Sequence, residues 1–367
     1  MYQLYFAPGR VNLIGEHLDY NGGWVLPAAI SKGITAKVEF LPEKQLILSS
    51  AHASLLFRSN INENFEYKKT EDWVNYPKGI IREINRRFPL HQGLAIHFES
   101  NLPMSSGLSS SAAIEVLTAF ILYEVHGQKI SRKELALLCQ KVENEFIGVN
   151  CGIMDQYAVA NGKEGNALLL DCATVSHQDI PFQTFDYQLL VMNTCKPRKL
   201  IEGKYNERRS ECEAALALIQ KKYEIPHLAA ANQAMLTEMV QDALLYKRAR
   251  HVISEQARVL ETGTGLASLA DLQQFGQNMN ASHLSLKNDY EVSGIELDTL
   301  VETAQQTAGC LGARMTGAGF GGCAIALVKK TEVEAFIALV STAYEQKIGY
   351  AAEIYPVEIA AGVHKVS

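Results

Sequence analysis

Apolar and polar positions along this chain repeat with two different periods, and the switches between them predict most of its elements. Residues 3–7 read as a strand, Ala7-Pro8-Gly9 as a turn, and 10–14 as a second short strand. Residues 15–23 are dense in charge and turn residues, with glycines at both ends. An apolar strand returns over 24–30, and β character continues over 33–40. Residues 52–69 are polar and without a period. A helical pattern starts at Trp73 and runs through Ile80, Ile81 and Ile84, and 93–99 alternates as a strand. Residues 102–116, LPMSSGLSSSAAIEV, open with Pro103, pass through small residues and become apolar without a break, Glu115 being the only charge. That predicts a tight loop feeding a buried helix. An amphipathic helix follows over 135–146, then GVNCGIMDQ over 148–156. Residues 168–171 and 188–193 read as strands, 200–222 and 227–263 as helices, and 323–328 as a strand. A boundary near residue 185 divides the chain into 1–185 and 186–367.

Composition narrows the picture. The 367 residues suit about two domains at ~150 residues each. A net charge of −6 argues against a nucleic-acid or acidic-membrane surface. The basic cluster 247–251 therefore reads as a solvated helix face, and so do Arg208 and Arg209. The seven cysteines form no CxxC pair, the usage of a reducing compartment. The first residues lack a signal-peptide pattern, and no run of about 18 apolar residues exists. These features predict a cytoplasmic protein without membrane, nucleic-acid or obligate protein partners.

Three stretches carry candidate chemistry. Ser109, Ser110 and Ser111 fall at the N-cap and first turn of the predicted helix, where free N–H groups and the macrodipole favour phosphate. The stretch is not a Walker loop, because no Gly-Lys-Ser/Thr follows; a Ser-capped core helix is the plainer alternative. Glu16, His17 and Asp19 sit between apolar strands, either presenting polar groups to a small ligand or forming a solvated turn. Asp155, directly after Ile153-Met154, reads as a shielded base or ligand, or as a helix cap. Gly317, Gly319 and Gly322 formally satisfy GxGxxG, but a strand follows where a dinucleotide site needs a helix.

In this order, APGRVNLIGEHLDYNGG, LPMSSGLSSSAA and MTGAGFGGCA resemble the GHMP superfamily of small-molecule kinases. The first is similar to the galactokinase-family signature GRVNLIGEHTDYN, with Leu18 where that signature usually has Thr. DWVNYPKGII, GVNCGIMDQ, KYNERRSEC, RARHVISEQARV and residues 282–300 extend the resemblance over nearly the whole chain. Residues 193–200, NTCKPRKL, depart from the family's NxxVRHxL.

The resemblance implies an α+β, two-domain GHMP kinase fold. Its N-terminal domain would resemble ribosomal protein S5 domain 2, with the active site in the interdomain cleft. It implies transfer of the γ-phosphate of ATP to the anomeric hydroxyl of α-D-galactose, with Mg²⁺. By position in the family motifs, Asp155 lies at the anomeric hydroxyl with Arg10 beside it. Glu16, His17, Asp19 and Tyr205 match the sugar-binding set, with Leu18 in the same loop. Ser105, Ser106, Gly107, Leu108, Ser109, Ser110 and Ser111 would cradle the nucleotide phosphates, and Ser111 and Glu143 would hold Mg²⁺. Two alternatives stay open: a galactose-sensing regulatory protein, and a kinase for a related sugar such as N-acetylgalactosamine.

Overall fold

The computed structural model describes residues 2–103, 107–196 and 201–366. Strand Tyr2–Asn12 sits between His364–Val366 and Pro27–Leu41 in a six-stranded sheet that continues through Gly93–Ser100, Gln45–Ser50 and Ala53–Asn60. All neighbours are antiparallel except Gln45–Ser50 against Gly93–Ser100. The expected turn at residues 7–9 is instead a register shift between Pro8 and Gly9 inside one continuous strand. Close packing explains it. A Cβ on Gly9 would lie 2.6 Å from Leu102 Cδ2 and 2.8 Å from the Leu108 carbonyl oxygen, so the loop before the buried helix lies directly on the strand. The Arg10 N–H donates to that same carbonyl at 3.2 Å.

Strand Ala53–Asn60 was not expected. It lies at the sheet edge and buries only alternate side chains, so its other face reads as polar loop.

The helix Ser110–Val125 is the centre of the first half. Ala112, Ala113, Val116, Leu117, Ala119, Ile121 and Leu122 are fully buried, because it packs on two strands of the sheet and on helices Asn75–Asn85, Arg132–Val142 and Met154–Asn161. Each large apolar side chain so buried stabilises by ~1.5–3 kcal/mol. This helix is apolar all round, as an enclosed helix must be.

The second half holds an antiparallel sheet in the order Cys310–Thr316, Cys323–Lys329, Tyr187–Asn193, Glu353–Val357. Helices Leu269–Ser285 and Gly294–Gln306 pack on it. A third sheet joins Trp24–Val25, Asn166–Asp171 and Ser176–Pro181. Among the described residues no helix is long and apolar enough to cross a membrane.

Two basic segments expected on solvated faces each turn part of their residues inward. Arg208 pairs with Glu211, and Arg248 is held by Glu211, Glu291 and the Asp289 carbonyl. His251 is also fully enclosed. On helix Ala243–Thr262 the spacing of Arg248, His251 and Val252 turns them to the inner face, and acids from neighbouring elements replace solvent. Lys247 and Arg250 keep the exposed side.

The two halves meet at residues 12–17. Arg314 has no exposed surface and donates to the carbonyls of Asn12 at 3.0 Å and Leu13 at 3.1 Å. Thr316 Oγ1 accepts from the Asn12 N–H, and the Gly15 N–H donates to Glu255. Removing one partner of a buried ion pair leaves uncompensated charge. Arg314→Leu is therefore expected to destabilise the protein by ~3–5 kcal/mol, read as a lower midpoint in urea denaturation; a midpoint close to wild type would show that Arg314 does not hold the halves together.

Candidate active site

The buried helix begins without a side-chain cap. Ser109 stands at the N-cap as expected, but with φ +63°, and its hydroxyl donates to Asp155 Oδ2 at 2.6 Å rather than back to the helix. The first-turn N–H groups, with Ser110 and Ser111, are thus free of side-chain capping and open on the cleft. Leu108 is buried in the core and its carbonyl is taken by Arg10, so only its backbone N–H is left for a ligand. Gly107 lines the cleft, while Ser105, Ser106 and residues 197–200 lie outside the described residues.

Arg10 and Asp155 form a two-bond fork. Arg10 Nε donates to Oδ1 and Nη2 to Oδ2, both at 2.8 Å, while Nη1 donates to the Gly107 carbonyl at 2.7 Å. The Arg10 side chain is 5% exposed and that of Asp155 30%, so Asp155 is the member that meets a ligand. Asp155 lies in the first turn of Met154–Asn161.

The loop 15–23 is not a solvated turn. Glu16 and His17 are buried and line the cleft. Glu16 accepts from Asn12 Nδ2 at 3.1 Å and from the Gly317 N–H at 2.8 Å, which joins this loop to the glycine-rich stretch. A Cβ on Gly317 would lie 3.1 Å from the Gly107 carbonyl, so that stretch reaches the phosphate loop. Leu18 corrects an expectation. Its side chain is in the core, its N–H donates to Gly15, and its carbonyl accepts from Asn21 and Gly23. With both backbone groups used, it builds the loop and offers nothing to a sugar.

Asp19 lines the cleft against Gly152, where a Cβ would lie 1.8 Å from Oδ2. Burial, then the nearby charges of Asp155 and Glu16, pushes its carboxyl up to about 7. Tyr205 stands at the same end, its ring 5.8 Å from that of His17.

Glu143 opens a single π turn, Glu143–Ile147, where the expected helix 135–146 departs from α geometry after Val142. Gln156 Nε2 donates to it, and the Ser111 hydroxyl is within hydrogen-bonding reach. Its carboxyl is pushed up to about 7 by burial and by Asp155, and no cation pairs with it among the described residues. Glu115 behind it is fully buried and raised further, by burial and by Glu143. A carboxylate and a hydroxyl facing a cleft, with uncompensated negative charge, fit a hard cation that keeps several waters.

These groups line one cleft of about 1050 Å³. Its far end is lined by Ile34, Trp73, Tyr76, Phe98 and Leu102. Sequence reasoning had not assigned a role to Trp73 or Tyr76, though both lie in DWVNYPKGII, nor to Asn12, Tyr20, Tyr290, Glu255 or Arg314 behind the sugar loop. Arg314 directly precedes MTGAG, so its place next to a recognised motif was the available signal.

The fold and the cleft define a class: a small-molecule kinase of the GHMP type. The family described as GHMP kinases N terminal domain matches residues 75–163, and GHMP kinases C terminal matches 266–346. The galactokinase galactose-binding signature matches residues 3–39. A galactokinase of Halalkalibacterium halodurans is 44% identical over 369 residues, 99% of this chain and 92% of that protein. One of Staphylococcus saprophyticus is 47% identical over 364 residues, covering 98% and 94%. The crystal structure of Lactococcus lactis galactokinase complexed with galactose superposes with a TM-score of 0.94 at 42% identity, covering 100% of this chain and 95% of that one. Methanococcus jannaschii mevalonate kinase shares the fold, with a TM-score of 0.69 at 20% identity, covering 98% and 99%. The chain belongs to the galactokinase family.

The raised carboxyl of Asp19 has a measurable consequence. In the unfolded chain it ionises near its ordinary 3.8, in the folded protein near 7, so its contribution to stability is present below about 4 and is lost as pH rises through 7. Without ligands, Asp19→Asn should melt above wild type at pH above 7, and the gap should close toward pH 4. Thermal melts across that range check it; a gap that widens toward acid would contradict the assignment.

Proposed function

We infer that this chain transfers the γ-phosphoryl group of ATP to the anomeric C1 hydroxyl of α-D-galactose, giving α-D-galactose 1-phosphate and ADP. The observation that carries the reading is the Arg10–Asp155 fork, lying between the acid-rich loop of Glu16, His17 and Asp19 and the uncapped start of the buried helix. A hydroxyl held at Asp155 has a carboxylate on one side and phosphate-binding N–H groups on the other. Three hydrogen-bond donors already engage Asp155, two from Arg10 and one from Ser109. Such a carboxylate orients the hydroxyl and takes its proton late, as a loose phosphoryl-transfer transition state permits. Arg10 stabilises charge on the transferred group.

The nucleotide phosphates rest on the N–H groups of the first helical turn, with Ser109, Ser110 and Ser111. The adenine end takes the apolar, aromatic wall of Trp73, Tyr76 and Phe98. Ser111 and Glu143 would hold Mg²⁺, supported by a carboxyl that lacks a cationic partner among the described residues. Mg²⁺ held there would neutralise charge on the nucleotide's phosphates. The sugar's hydroxyls face Glu16, His17, Asp19 and Tyr205. A site that hydrogen-bonds the axial O4 leaves groups unpaired with the epimer, which discriminates by ~10⁴ or more. We also assign the halves 1–185 and 186–367 to the two lobes of the cleft, and the cytoplasm as the compartment, in keeping with seven free thiols.

A coupled ADP-release assay over galactose, glucose and N-acetylgalactosamine tests the function. Galactose should be used and glucose far more slowly. Equal turnover on the two epimers would sink the assignment, and galactose binding without ADP release would favour the sensor reading.

Asp155→Asn should lower kcat by ~10² or more while galactose affinity changes little, because the lost interaction matters mainly in the transition state. A folded variant, verified by circular dichroism, that retains most of its kcat would remove Asp155 from the chemistry. Ser111→Ala and Glu143→Ala should each raise the Mg²⁺ concentration needed for ATP binding, followed by calorimetry; superimposable Mg²⁺ curves would exclude the metal assignment.

A further inference from the structure

A line of polar groups leads away from the cleft behind the sugar loop. His17 Nδ1 lies 2.8 Å from the Tyr20 hydroxyl, which lies 2.8 Å from the Tyr290 hydroxyl, which lies 3.0 Å from Cys212 Sγ. The other ring nitrogen of His17, Nε2, is buried and has no hydrogen-bond partner among the described residues, although His17 lines the cleft. Burial, with His251 nearby, lowers the His17 imidazole to about 3, so at neutral pH it carries one N–H. Which nitrogen carries it decides whether the cleft receives a donor or an acceptor.

Four hydrogens are available to three contacts; with every contact made and both phenol hydrogens kept inside it, the chain of bonds runs in one of two directions. In one, Cys212 donates to Tyr290, Tyr290 to Tyr20, and Tyr20 to Nδ1, leaving N–H on Nε2. In the other, every bond reverses and Nε2 is bare. A phenol is a more acidic donor than neutral imidazole, and an imidazole nitrogen is a better acceptor than a phenol oxygen. The O–H···N bond from Tyr20 is therefore the stronger choice. The sulfur end is weak in either direction, since thiols are poor donors and poor acceptors. It does not outweigh the imidazole end.

We propose that Tyr20 and Tyr290 are positioning residues that fix His17 as its Nε2–H tautomer, so that His17 presents a neutral donor to the sugar end of the cleft. The ring is also clamped mechanically, its centroid 4.7 Å from Tyr290 and 5.8 Å from Tyr20. The consequence is a polarity pattern. Glu16 and Asp19 supply carboxyl oxygens, and His17 supplies a hydrogen to one sugar oxygen. A hydroxyl ligand can satisfy both kinds because it donates and accepts. The sugar's identity rests on the galactose reading given above; the tautomer does not.

The test is the long-range ¹H–¹⁵N spectrum of the ligand-free protein, with the His17 signals assigned by their loss in His17→Gln. Wild type should show a protonated Nε2 and a bare Nδ1. Tyr20→Phe should mix the two tautomers and raise the KM for galactose ~10-fold, the scale of one hydrogen bond, with a smaller change in kcat and none in the KM for ATP. Tyr290→Phe should act the same way more weakly, and it replaces Tyr20→Phe if that variant fails to fold. A wild-type Nδ1–H tautomer would overturn the proposal. So would a folded Tyr20→Phe with unaltered tautomer and KM. The spectrum needs no substrate, so a failure of the galactose assignment leaves this result readable by itself.

Discussion

A fully enclosed arginine sets the geometry on which this site depends. Arg314 reaches across from the second half, binds the carbonyls of Asn12 and Leu13, and lies between two enclosed carboxyl groups, Glu16 at 3.5 Å and Glu255 at 3.7 Å. The two acids respond in opposite directions. Burial works against ionised Glu255, but Arg258 and Arg314 overcome it, and Ser282 donates a further bond, so its carboxyl falls to about 2. Glu16 is raised, because burial outweighs what Arg314 and Arg10 return. The permanent negative charge thus sits on the structural side of Arg314, and the cleft side retains an acid that is only partly compensated. The same guanidinium joins the lobes and leaves Glu16 dependent on what enters the cleft.

That dependence is general in the cleft. Glu16, Asp19, Glu115 and Glu143 are all raised, with burial the largest cause in each. Arg10 is tied up by Asp155 and the Gly107 carbonyl. An unliganded protein pays for this arrangement in stability, which is the usual relation between a site's readiness and its fold. On the proposed reading the anionic nucleotide would use the positive helix end for its phosphates and a cation for the carboxyls. The two requirements meet at Ser111, which belongs to the helix start and stands within reach of Glu143.

What could be read from the chain follows what its residues must do locally. The helix Ser110–Val125 was legible because a helix buried on all sides has to be apolar on all sides, and Asp155 because an acid after Ile153-Met154 is costly unless used. Edge strand Ala53–Asn60 was not, since half of its side chains face water. Arg208, Arg248 and His251 were misread for a related reason. A basic helix face looks solvated until its partners are placed: Glu211 one turn along the same helix for Arg208, and Glu211, Glu291 and the Glu16 carbonyl from distant segments for Arg248 and His251. The π turn at Glu143 left no trace in the periodicity, because one inserted residue shifts the pattern only after the helix has ended.

His17 and Ser109, two of eight non-glycine residues with positive φ among the described residues, contradict their local preferences in the wall of the cleft that holds the Arg10–Asp155 fork. His17 and Ser109 each adopt φ +63°, a conformation that costs non-glycine residues of order 1–3 kcal/mol. Glycine would relieve both, yet neither side chain is idle. The Ser109 hydroxyl is spent on Asp155, which takes it away from capping and leaves the helix start to phosphate. His17 turns one nitrogen to Tyr20 and leaves the other unpartnered in the wall of the cleft. The strain is sustained from outside the residues themselves: by Asp155 for Ser109, and for His17 by the Asn21 amide, which binds its carbonyl, and by the ring stack of Tyr20 and Tyr290. Local consistency gives way where a side chain must be aimed. Here both departures lie in the wall of one cleft, and the one at Ser109 bonds Asp155 itself, so the strained backbone belongs with the fork.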